Sequence, residues 1–251
     1  MILLFKIGDL VTRISHNNDV VFKIEAINND TVYLKGMSVR LCADSHISDL
    51  ILVDKDLKDE DRDFYEKLES IRSFERNDYF YIPGKILHID GDEQYLDRCL
   101  DFYKKANVLA YGIYSKEDQI ALNIEQYLED INPDIVVITG HDSDTKKNSN
   151  FFCDAVKICR RYQRDYDKLI IIAGACQSNY EKLIRAGANF ASSPKKVNIH
   201  ALDPAIIALS LSLTDKNKHV DLLSLLEKTS NGKDGIGGVN TRGVMTTGYP
   251  R

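Results

Sequence analysis

From residue 79 onward the chain repeats one pattern: a short apolar run, then a stretch of helical period. The apolar runs are "GKILHID", "VLAYGIY", "DIVVIT", "KLIIIAG" and "NFASSP". Between them lie "EQYLDRCLDFYKKA", "SKEDQIALNIEQYLEDI", "FFCDAVKICRRY" and "SNYEKLIRAGA". In the first of these, Leu96, Cys99, Leu100 and Tyr103 share one helical face. A short apolar run bounded by turn residues suits a strand buried on both faces. Strands that alternate with helices pair as a parallel sheet with right-handed crossovers. The pattern predicts a doubly wound α/β domain over residues 79–251. Ser115-x-x-Asp118 and Ser178-x-x-Glu181 predict capped helix starts, and Gly187 predicts a helix end.

The first 53 residues read as all-β. "KIGDLVTRI", "DVVFKIEAI" and "TVYLKGM" are rich in β-branched residues, and "NND" is turn chemistry. A small SH3-like or Tudor-like β-barrel is expected over residues 1–53, as a stabilising accessory domain, with Cys42 ending one of its strands. Residues 54–78 form a mixed-charge run without Gly or Pro, which reads as a linker helix. In the tail, Asp203 and Pro204 predict the cap and first position of a helix, and "HVDLLSLLEKT" a further one. Six glycines in the last twenty residues predict a loop.

Several classes of function are disfavoured. The formal net charge is -5, which argues against broad nucleic-acid binding. No run approaches the roughly 20 apolar residues of a membrane span. The start, "MILLFKIGDLV", has no basic region or small-residue cleavage site, so no signal peptide is expected. The five cysteines, Cys42, Cys99, Cys153, Cys159 and Cys176, include no CxxC pair, and His16, His46 and His219 lack metal-ligand spacing. Individual thiols in a reducing compartment, with no metal and no cofactor, are expected.

The chemistry concentrates at two strand ends. "DIVVITGHD" delivers His141 and "KLIIIAGACQS" delivers Cys176. In an open parallel sheet, ligands bind outside the carboxyl ends of the strands. If the two strands are neighbours, about 4.8 Å apart, an imidazole and a thiol can meet there. Cys176 precedes a helix start, where unpaired backbone N–H groups favour a thiolate and can bind an oxyanion. Gly140, and the small residues Ala173, Gly174 and Ala175, leave room for a substrate backbone. Buried cysteines are more often inert, which is the expectation for Cys99 and Cys159. His88, inside a strand, reads as a core histidine.

The pairing resembles the caspase, clostripain and gingipain group of cysteine peptidases, in which one apolar strand ends in a catalytic His and the next in Ala-Cys. The wider wording is closer still. "IGDLV", "VRLCADSHISDL", "PGKILHIDGDEQYLDRCL", "AGACQSNYEKLIRAGANFASSP", "NIHALDP" and "GIGGVNTRGV" resemble the YabG family of sporulation-specific proteases of endospore-forming bacteria. The resemblance implies a caspase-like sheet and a cytoplasmic cysteine endopeptidase that cuts spore coat and cortex-related proteins after Arg. It implies His141 and Cys176 as the dyad. Asp142 stands where the broader group has a Gly that helps bind the oxyanion. Asp90 and Asp92, in "HIDGDE", are the carboxylates expected in an Arg pocket; helix capping is the other reading. Asp203 is a further pocket candidate. An Arg-selective protease would also be expected to cut itself at Arg62, Arg72, Arg76 or Arg242. Two other classes stay open: an amidotransferase-like hydrolase using Cys176 and His200, and a protein-binding α/β module without activity.

Overall fold

Short β-branched strands joined by turn residues make the N-terminal part an antiparallel sheet. The computed structural model describes residues 5–53, 61–72, 80–141 and 147–248. Strands β1 (Leu10–Arg13), β2 (Phe22–Asn28), β3 (Thr31–Gly36), β4 (Cys42–His46) and β5 (Leu50–Leu52) pair in the order β4-β3-β2-β1-β5. Asn29 joins β2 to β3 at φ 54°, a left-handed conformation that Asn tolerates. Phe22, Ile24, Val32 and Leu34 bury one face against Phe5, Val11, Val20 and Leu50. Cys42 opens β4 rather than ending a strand.

Helix α1 (Arg62–Arg72) falls inside the charged run and buries Phe64, Leu68 and Ile71, at spacings of four and three, in the main core. After β6 (Phe80–Ile82), strands and helices alternate. They are β7 (Ile86–Asp90), α2 (Glu93–Lys105), β8 (Ala110–Tyr114), α3 (Glu117–Ile131), β9 (Ile135–Thr139), α4 (Lys147–Tyr162), β10 (Ile170–Ala173), α5 (Tyr180–Ala186) and β11 (Phe190–Ser192). Then come α6 (Asp203–Ser212), α7 (Leu222–Leu226), α8 (Gly232–Gly235), β12 (Ile236–Gly238) and β13 (Thr246–Gly248). None of the described helices is long and apolar enough to cross a membrane.

The central sheet runs β12-β11-β10-β9-β7-β8, with β12 alone antiparallel to its neighbour. Its strands alternate sides residue by residue. Ile86, Ile135, Val137, Ile170 and Ile172 meet α1, α2 and α6, while Leu87, Ile89, Val136, Ile138 and Ile171 meet α3, α4 and α5. Both faces are covered, so every residue of β7, β9 and β10 is buried. The chain leaves β7 toward β8 and returns to β9 on the other side. A reversal of this kind is where open α/β sheets form their ligand crevice, here at the carboxyl ends of β7 and β9.

Three capping expectations shift by a residue, because the competing side chains bond elsewhere. Ser115 donates to the Lys116 carbonyl, and α3 starts from Lys116 without a side-chain cap. Asn179 caps α5 by accepting the Lys182 N–H, while Ser178 accepts the Ala175 N–H. Asp203 is the first residue of α6, and its carboxylate accepts the N–H groups of His200 and Ser230. Gly187 ends α5 at φ 115°, as its position predicts. The glycine-rich tail is ordered, contrary to the loop expectation. Its β12 extends the central sheet, and β13 pairs with β6. A Cβ on Gly243 would overlap the Thr214 carbonyl, so this glycine serves close packing.

Candidate active site

Asp90 ends β7 on the face that carries α2 and α6. Its carboxylate accepts the Asp92 N–H at 2.9 Å and the Thr139 hydroxyl at 2.9 Å. It also accepts Nη1 of Arg40 at 2.6 Å, from the connection between β3 and β4, fifty residues earlier. Nη2 of Arg40 donates to the Ala201 carbonyl at 3.0 Å. Both side chains of this ion pair are 0% exposed. Burial opposes each charge, but the partner outweighs it: Asp90 is held at about 2, and Arg40 above its ordinary value. His88 is a core histidine, bonded to the Tyr103 hydroxyl and to Thr139 at 3.0 Å each, and burial lowers its pKa.

Asp92 caps α2 by accepting the N–H groups of Gln94 and Tyr95 through Oδ1. Its Oδ2 faces His141 Nε2 at 2.9 Å and forms an ion pair with Lys35. His141 follows β9. Burial pulls its pKa down, but Asp92 and the neighbouring Cys42 thiol outweigh burial and raise it to about 9. Asp92 lies well below the usual carboxylate range: burial works against this, and His141 and Lys35 overcome it. The His141 N–H donates to Glu117 Oε1 at 2.9 Å, and its ring lies 5.2 Å from that of Tyr95. A Cβ on Gly140 would press into Glu117, so the space that Gly140 leaves is taken by this carboxylate. Asp142 lies outside the described residues.

Cys176 sits in the turn after β10. Gly174 at φ 112° and Gln177 at φ 62° make the turn sharp. The Gln177 N–H donates to Ser193 Oγ at 3.1 Å, which braces the strained residue. The Cys176 thiol is buried. It donates to the Ile199 carbonyl at 3.6 Å, accepts the Ile199 N–H at 3.2 Å, and lies against the Arg40 backbone. Burial pushes its pKa up to about 12, so the expected thiolate is absent from this state. Helix α5 begins only at Tyr180, beyond the turn. Among the described residues no hydrogen bond joins Cys176 to His141. His200 does not bond to Cys176 either; its Nδ1 accepts the Leu202 N–H and its ring stacks on Phe64 at 4.4 Å.

The crevice therefore brings together Asp90, Asp92, Gly140 and His141, with Cys176 one strand away on the same sheet edge. The β9–β10 register, Ile138 against Ala173, makes the two parent strands neighbours, as the sequence reading required. Arg40, Lys35, Cys42, Tyr95 and Glu117 were not foreseen. Arg40 stood in the noted "VRLCADS" stretch, but nothing local marks an arginine for burial.

The sequence profile of the YabG peptidase U57 family matches residues 6–250. The chain belongs to the YabG peptidase U57 family. The sporulation-specific protease YabG of Bacillus subtilis strain 168 is 42% identical over 284 aligned positions, covering 98% of each chain. A YabG-family match that starts at residue 6 takes in the N-terminal sheet as well as the crevice. The part expected to be an add-on is thus common ground of the family.

Proposed function

We propose that this chain is a cysteine endopeptidase of the sporulating cell that cuts spore coat and cortex-related proteins after arginine. One observation carries the reading: His141 and Cys176 follow the carboxyl ends of two hydrogen-bonded parallel strands, beside the point where the strand order reverses. Membership in a peptidase family and the relative's printed name support it. The sheet is read as caspase-like and the N-terminal sheet as a small barrel. Five free thiols suit a reducing cytoplasm.

In this mechanism the neutral form of His141, the minor form while its pKa is held at about 9, takes the Cys176 thiol proton as Sγ attacks the scissile carbonyl. The imidazolium then protonates the leaving amine, and water cleaves the thioester to restore the thiol. Asp92 orients the imidazole and stabilises its charged form. The Cys176 N–H is the first candidate oxyanion donor. Of the two pocket carboxylates, Asp90 is the stronger candidate for the substrate guanidinium, since it already holds one.

A second reading has one observation behind it. His141 neighbours the thiol of Cys42, which would make Cys42 the nucleophile of a Cys42–His141–Asp92 set. Assays on a basic unstructured protein, with cut sites mapped, separate the two. Cys176→Ala and His141→Ala should each lower turnover on the order of 10³-fold or more, and Cys42→Ala should not. Loss in Cys42→Ala with activity kept in Cys176→Ala would transfer the role.

A further inference from the structure

We propose that Ser38–Arg40 occupies the substrate cleft of its own chain, with Arg40 where a substrate arginine would sit, so that the protein is latent until this strap withdraws. The inference rests on the reading of Asp90 as the arginine-binding carboxylate.

The strap is held as an added strand. The Arg40 N–H donates to the Ile199 carbonyl at 3.2 Å, and the Ala201 N–H donates to the Ser38 carbonyl at 2.8 Å. Val39 and His200 form the antiparallel bridge between them. Main-chain pairing of this kind is how an extended peptide docks on an exposed edge, with side-chain pockets adding selectivity. The edge adjoins the proposed nucleophile, since the Ile199 backbone both accepts from and donates to Cys176. The pocket beside it takes the Arg40 guanidinium, with Asp90 and the Ala201 carbonyl as acceptors and the Tyr95 ring 5.1 Å away.

The strap has the shape of an occluder rather than of a substrate. The Leu41 N–H donates back to the Val39 carbonyl at 2.9 Å, and the Gly36 N–H to the Leu41 carbonyl at 2.7 Å. The chain therefore reverses at Arg40 instead of running on across the cleft, as a peptide to be cut must. The same hairpin sets Lys35 on Asp92 and Cys42 beside His141, so it engages both halves of the site. The fit of the guanidinium is incomplete. Among the described residues Nε of Arg40 has no hydrogen-bond partner, which lowers the cost of release. On its outer side the strap hangs from two α2 side chains. Tyr95 donates to the carbonyls of Val39, at 2.9 Å, and Gly36, and Arg98 donates to the Met37 carbonyl at 2.7 Å.

A cleft open only a fraction of the time has its apparent Kd raised by the inverse of that fraction. The test uses the full chain and a short peptide amide ending in arginine. Arg40→Gln should raise kcat/KM at least about 10-fold, through KM, and Tyr95→Phe should raise it about 3-fold or more. Tyr95→Phe leaves the Arg40–Asp90 pair intact and so keeps the test independent of folding defects in Arg40→Gln. Unchanged or lower kcat/KM in folded Tyr95→Phe would overturn the proposal. If no variant has activity, the peptidase reading fails by itself, and binding still decides the strap. Benzamidine, an inert amidinium probe, should bind Cys176→Ala/Tyr95→Phe at least about 3-fold more tightly than Cys176→Ala in calorimetry. Equal affinity would overturn the strap whatever the activity.

Discussion

Arg40 and Arg242 lie in turn-rich segments at opposite ends of the chain, and each faces an aspartate. Arg40 meets Asp90 at 2.6 Å with neither side chain exposed. Arg242 meets Asp167 at 3.7 Å, with side chains 46% and 47% exposed. The chemistry is the same and the surroundings differ. Around Asp90, sheet and helices exclude water, so either charge alone would be stranded. Around Asp167, water solvates both, and the pair is worth little. An arginine in a loop thus says nothing until its depth is known.

The largest effect should follow from breaking the buried pair. Arg40→Ala should destabilise the fold by about 3–5 kcal/mol in urea unfolding, because Asp90 keeps its charge without a partner. Replacing both, as Arg40→Met with Asp90→Leu, should recover most of that loss. If the double variant is as unstable as the single one, the loss is one of packing rather than of charge.

pH separates the two aspartates of the crevice. Asp90 has a folded pKa of about 2, below its ordinary 3.8. Its contribution is present above about pH 4 and is lost as pH falls through about 2. His141 has a folded value of about 9 against 6.5. Its contribution is complete below pH 6.5 and is lost as pH rises through 9. Thermal melts from pH 6 to 10 should therefore show a falling alkaline limb, and Asp92→Asn should flatten it. A limb that persists in Asp92→Asn would detach it from the His141–Asp92 pair.

The tail gives smaller effects. Gly243→Ala should cost about 1–3 kcal/mol, since the added methyl meets the Thr214 backbone, which cannot step aside. A change near zero would mean that the segment is looser than its pairing suggests. Arg242→Ala should change stability by no more than about 1 kcal/mol. Arg242 is bridged to His219, and the Gly243 N–H donates to the Lys218 carbonyl, so the bond between them should stay whole during incubation. Intact masses of wild type and Cys176→Ala check this, and a cut after Arg242 confined to the wild type would contradict it.

The sequence by itself determined the order of strands and helices from β7 to β11 and the burial of the sheet they form. It also determined that His141 and Cys176 each follow the carboxyl end of a strand. These follow from periodicity and turn chemistry, which act over a few residues. The all-β character of residues 1–53 was legible for the same reason. Tertiary structure alone decided what fills the crevice. Arg40 reaches Asp90 across fifty residues, and Lys35 and Cys42 reach Asp92 and His141 from the same hairpin. It also decided that the glycine-rich tail is a sheet edge, because glycine serves a mobile loop and a tight packing site equally well. The protonation of His141 and Cys176 was likewise invisible beforehand. A helix start after Cys176 suggested a thiolate, but burial under the strap and Ile199 keeps the thiol neutral. Local pattern sets which groups arrive at a strand end, and only the packing around them sets what charge they carry.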